Sequence, residues 1–184
     1  MTMTIPTVPS MPAGYVAQLA DMQNLSAACT FLLTKPITKV RDTTGGTAFS
    51  SAGVPIPFTS ADIDTDGMWN ASYPTQLTVQ TPGWYKLRYM VAQSGSSDAT
   101  NAAAFSTTGP NNPAGSGSNS AKYWGSYSDS QPGYMCGHGL WPFYLYAGDF
   151  IQVLGIEISG AGAVSYVSGT DLGSFLSLEF VSCT

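Results

Sequence analysis

Over residues 84–91 the side chains alternate: Tyr85, Leu87, Tyr89 and Val91 fall on one face of an extended chain, and Trp84, Lys86, Arg88 and Met90 on the other. One face is core and the other carries charge. Upstream, LTVQT at 77–81 also reads as a strand, and the Pro82-Gly83 step between the two runs predicts a tight reversal with antiparallel neighbours. The same period of two predicts strands over 37–42, 102–105, 150–158, 161–167 and 174–181, the last with Leu176, Leu178 and Phe180 inward. Residues 54–58 are extended but hold Pro55 and Pro57, which confines them to a sheet edge, and Gly155 marks a bulge or close approach. The pattern is that of an all-β, antiparallel sandwich occupying residues 37–184.

Residues 1–36 differ. Prolines at 6, 9 and 12 keep residues 1–14 out of helix, leaving an arm that either lies extended along a neighbour or is a disordered tail. Residues 15–34 then take a helical period: Tyr15, Leu19, Met22, Cys29 and Leu33 form a stripe that Leu25, Ala28 and Leu32 widen, and Lys35-Pro36 ends it. A helix of this length is marginal in water, so it is expected to bury its stripe. Its partner is either the flank of the same domain or something outside it, as a stalk or docking helix.

Residues 140–146, LWPFYLY, are apolar or aromatic on both faces. A strand of a two-layer sandwich buries one face within its own domain, so the second needs cover, by another subunit, by the 92–120 loop or by the helix. The region of Tyr123, Trp124, Tyr127 and Tyr134 offers flat rings with little charge around them, which suits either packing or a sugar-binding platform built on Trp124 and Tyr127. GPNNPAGSGSNS, at 109–120, is a loop by composition, with no lysine placed to cradle a phosphate.

Charged residues make up only 9% of the 184-residue chain, so Ser, Thr, Asn and Gly must solvate most of its surface. The net charge is −5, and the six cations, Lys35, Lys39, Arg41, Lys86, Arg88 and Lys122, are scattered in sequence, which argues against a phosphate-neutralising patch and against nucleic-acid binding. No window approaches the ~20 apolar residues that span a bilayer, and the N-terminus lacks the pattern of a secretory signal, so synthesis in a cytoplasm is expected. Cys29, Cys136 and Cys183 are an odd number lying far apart, read as buried thiols rather than a disulfide framework.

Chemistry is sparse. Asp62, Asp64 and Asp66 before Gly67 copy the opening of a calcium loop, yet the twelfth position is Tyr73, so the closing bidentate acid is missing. The two readings are a calcium site and a turn whose aspartates accept backbone donors. The single histidine, His138, sits two residues from Cys136 without an orienting acid nearby in sequence. Asp149, Glu157, Asp171 and Glu179 are the acids from which a glycosidase pair would have to come. No catalytic residues, cofactor or enzyme activity are expected.

The string DIDTDGMW, followed by PTQLTVQTPGWY, resembles the jelly-roll domain of the tumour necrosis factor and complement globular-head superfamily as it occurs in bacteriophage virion proteins. YAGDFIQV at 146–153 is similar to its companion motif, SFLSLEF at 174–180 to its closing strand, and NLSAACTFLLTKP at 24–36 to the short helix that often precedes it. The resemblance implies a homotrimer meeting along aromatic-rich strands, with Trp141, Tyr144 and Tyr146 as contacts. It implies a structural protein on the virion surface: a capsid decoration or head-fibre protein attached to the phage major capsid protein through residues 1–36. A minor tail or fibre-tip protein, or a module adhering to a host-surface glycan, is the alternative.

Overall fold

The longest alternating run in the chain becomes the centre of the structure. The computed structural model describes residues 18–94, 100–108, 126–129, 133–138, 142–159, 164–165 and 173–183. In chain order these form α1 (Leu19–Leu33), β1 (Ile37–Arg41), β2 (Val54–Pro55), β3 (Ser60–Asp64), β4 (Leu77–Thr78), β5 (Gly83–Ser94) and β6 (Thr100–Thr108). There follow β7 (Ser126–Asp129), β8 (Gly133–His138), β9 (Phe143–Leu145), β10 (Phe150–Ser159), β11 (Val164–Ser165) and β12 (Phe175–Ser182).

β5 anchors a seven-stranded sheet in the order β3, β1, β12, β5, with β8, β9 and β11 also paired to β5. Trp84 and Tyr85 pair with β12 and with β9 at once, so these two strands lie on opposite edges of β5. The second sheet, of five strands, runs β2, β10, β6, β7, with β4 also on β10. Every ladder between these strands is antiparallel. The two sheets close over one core.

The alternation predicted for 84–91 is present: Tyr85, Leu87, Tyr89 and Val91 are fully buried, and Trp84, Lys86 and Arg88 face outward. Leu176, Leu178 and Phe180 of β12 meet them from the same sheet, and Ile151, Val153, Leu77 and Val79 from the other. Each such side chain contributes roughly 1.5–3 kcal/mol by leaving water. Gly155 is a close approach, since a Cβ there would stand 2.2 Å from Cε1 of Phe49. Gly83 is another, because its Cβ would meet the Phe180 ring at 2.3 Å and the Ser182 carbonyl oxygen at 2.7 Å.

The structure corrects four expectations. Pro82-Gly83 joins no hairpin: β4 pairs with β10, and Val79 N donates to Asp149 O at 2.8 Å, so the chain crosses from one sheet to the other before β5 begins. Residues 60–64, read as the start of an acidic loop, are instead β3. The strand read at 102–105 extends to the nine residues of β6, because β10 pairs with it along its whole length, with one register shift between Glu157 and Ser159. Cys29 and Cys183 are exposed rather than buried.

The helix forms where its period places it, but with the other side down. Gln18 N donates to the Asp21 carboxylate at 2.9 Å, capping the first turn, and Pro36 closes the far end. Asp21 and Ala28 are buried, and Phe31 packs edge-on against Phe180 at 5.4 Å, while Leu19, Met22, Leu25, Cys29, Leu32 and Leu33 remain exposed. Among the described residues of the expected stripe Ala28 alone is buried, and the helix is seated through Phe31 on Phe180 while the leucines stay open. Tyr15 and the arm of residues 1–14 lie outside the described residues.

Candidate functional surface

The outer face of the seven-stranded sheet carries two kinds of side chain in register. At one end, Tyr144 of β9 stands opposite Trp84 of β5, with ring centroids 5.8 Å apart and planes at 82°. Tyr146 continues the row at 5.0 Å from Tyr144. Edge-to-face rings of this kind attract one another, yet all three keep more than a third of their surface in water, at 37%, 37% and 46% for Trp84, Tyr144 and Tyr146. Tyr144 and Tyr146, expected from sequence at a subunit contact, lie side by side on this exposed surface. Trp141 lies outside the described residues. Alternation alone places Trp84 on the outward side of β5; its pairing with Tyr144 follows from the β5–β9 register, which no local pattern states.

Next to the rings lie cations. Lys86 of β5 stands opposite Glu179 of β12, and Glu179 opposite Ile37 of β1. One step along, Arg88 faces Ser177, Ser177 faces Lys39, and on the far edge of β5 the backbone of His138 is opposite Arg88. Lys35 Nζ donates to Glu179 Oε1 at 2.6 Å. That hydrogen bond, aided by the charges of Lys35, Arg88 and Lys86, holds the Glu179 carboxyl below the usual glutamate range against an opposing push from partial burial. Lys39 lies over the Phe175 ring at 5.6 Å, and Asp62 bridges Lys39 at 3.1 Å and Arg41 Nε at 2.6 Å.

Five of the six cations read as scattered are therefore gathered: Lys35, Lys39, Arg41, Lys86 and Arg88 share one face, with Glu179 paired to Lys35 and Asp62 to Lys39 and Arg41, and Lys122 lies outside the described residues. Sequence distance hid this, because β1 and β5 become near neighbours only through β12.

The acidic segment divides its work. Asp62 is the extra residue of a β-bulge, since Lys39 pairs with Ile63 and Val40 with Ala61. Asp64 accepts from Thr38 Oγ1 at 2.8 Å, Met68 N at 3.0 Å and Trp69 N at 3.1 Å, so it binds the turn to β1. Asp66 is buried, and its charge adds to desolvation in raising the Tyr85 phenol well above its ordinary value. Among the described residues no three acids, histidines or cysteines gather closely enough to hold a metal ion. Asp64 thus accepts the backbone donors that the turn reading expects of it.

The remaining candidates stay apart. Tyr127 falls on β7 opposite Ala102, in the other sheet, and Trp124 lies outside the described residues. Asp149 is buried and accepts Tyr146 N at 2.9 Å, a structural task, while Glu157 is on β10 in the opposite sheet. Asp171 lies outside the described residues.

No protein-family model matches the chain, and no curated protein matches it in sequence. Solved structures do match in fold. The globular domain of zebrafish complement 1qA superposes with a TM-score of 0.55 at 13% identity, covering 82% of this chain and 99% of that one. Murine APRIL superposes at 0.57 and 16% identity, covering 79% and 98%. Eiger TNF from S. frugiperda gives 0.52 at 14%, covering 82% and 96%. The fold is an all-β jelly-roll sandwich of the tumour necrosis factor and complement globular-head type, preceded by one helix.

Proposed function

We propose that this protein is a non-enzymatic structural component of a bacteriophage particle, a homotrimeric capsid decoration or head-fibre protein made in the host cytoplasm and displayed on the virion surface. Three jelly rolls meet along the ring-bearing end of the large sheet, and the segment of residues 1–36 moors the assembly to the major capsid protein. The observation that carries this reading is the row Trp84, Tyr144 and Tyr146, three rings packed edge to face and left in water at a sheet surface. Contiguous exposed apolar surface marks an interaction site, and the partner that a repeated virion protein always has at hand is its own copy. The open leucine face of α1 supports mooring, and the phage assignment rests on the motif resemblance of residues 24–36, 62–85, 146–153 and 174–180.

The test uses the full chain. Sedimentation should give a trimer that attaches to phage particles. Leu25→Glu/Leu32→Glu, which alters two exposed positions, should leave the trimer intact and abolish attachment. A full-length chain that stays monomeric and binds neither shell nor tail overturns the reading.

A further inference from the structure

Beyond the aromatic row, the chain's charges are sorted in space. Lys35, Lys39, Arg41, Lys86 and Arg88 occupy one sheet face, against Asp62 and Glu179 among the described residues, an excess of three positive charges. The whole chain carries −5, so the rest of it holds a net −8. Lys35, Lys39 and Arg41 already have carboxylate partners. Lys86 and Arg88 are exposed, and no ion pair joins either to a carboxylate among the described residues. They stand on the same strand and the same face as Trp84, two and four residues from it.

We infer that Lys86 and Arg88 form the electrostatic half of the subunit interface, docking against a carboxylate-bearing surface on a second copy of this chain. The inference rests on the trimeric reading and adds to it what the surface selects. A closed ring of three has a heterologous contact: each copy offers one patch and receives a different one, so the patches must complement each other rather than themselves. A cationic face meets that condition against carboxylates elsewhere on the chain, such as the partly exposed Glu157 on β10 of the other sheet, whereas Asp21, Asp42, Asp66 and Asp149 are buried and offer no surface charge. It also forbids the face-to-face dimer that the rings alone would allow, because two such faces would oppose like charges. The rings supply apolar contact without direction, and the cations choose the partner surface and orientation.

Sedimentation of the full chain across salt, with two surface variants, tests this. From ~0.05 M to ~0.5 M NaCl the wild-type trimer should weaken about tenfold, since exposed charge pairs are screened over that range. Lys86→Glu/Arg88→Glu should weaken it on the order of 100-fold at low salt, with an unchanged circular dichroism spectrum. Trp84→Ala/Tyr144→Ala should dissociate it at every salt concentration. Wild-type assembly untouched by both salt and the charge reversal overturns the electrostatic inference and leaves the trimer standing. A wild-type chain that is monomeric throughout overturns both.

Discussion

Gly155 has no room for a methyl group. Its strand runs under the Phe49 ring, so Gly155→Ala forces either the ring or β10 to move. Overpacking of this kind costs ~1–3 kcal/mol, to be read as a lower denaturation midpoint in urea. Tyr85 makes a second residue-scale prediction. Its hydroxyl donates to the Thr81 carbonyl at 2.6 Å, and burial, with the Asp66 charge behind it, raises its pKa. A raised folded value means that the unfolded chain loses this proton first. The stabilisation is complete below the ordinary tyrosine value, ~10, and drains away as pH rises beyond it. Tyr85→Phe should cost about 1 kcal/mol at neutral pH and flatten the alkaline fall in melting temperature. The inward position of Tyr85 was legible from alternation alone. The reason for Gly155 was not, because Phe49 comes from a loop whose path the sequence does not state.

For single elements, period was legible and partner was not. The helix appears within a few residues of its expected span, since apolar spacing and Pro36 are local signals. Which side it buries depends on the socket, and the socket is Phe180 at the end of β12. Phe31→Ala should therefore loosen the helix at a cost of about 1–2 kcal/mol, seen as faster amide exchange in α1 with β5 and β12 still protected. The failed hairpin has the same cause. Pro82-Gly83 is a genuine break, but a break does not say whether the chain turns back or crosses over, and the β4–β10 ladder decides. The Lys35–Glu179 pair fastens the same junction. Glu179 is depressed below the ordinary carboxylate value, so its contribution holds above about pH 4 and is lost as pH falls below that. With both side chains a third or more exposed, Lys35→Met should cost well under ~1 kcal/mol and remove only that acid-sensitive part of the stability.

Across the whole molecule, the fold class was legible because strand motifs such as GWY and AGD are local, whereas the charge map was not. Lys39 and Arg88 are far apart in sequence and become neighbours across Ser177 only when β12 inserts between β1 and β5. A reading by sequence distance sees scatter where the fold makes a patch. The patch also predicts a chromatographic contrast. If the cationic face is covered in the trimer, the dissociated Trp84→Ala/Tyr144→Ala chain should be retained on a cation exchanger at neutral pH and low salt despite its net charge of −5, while the wild-type trimer should flow through.

The junction of α1 with the sandwich also comes supplied with attachment points. Cys29 precedes Phe31 by two residues, Cys183 follows Phe180 by three, and both thiols are open to solvent, each close in sequence to one partner of that ring contact. With Cys136→Ser, a donor and an acceptor dye placed on them would turn the contact into a molecular gauge: high energy transfer with the helix seated, low transfer once it swings away to grip another surface.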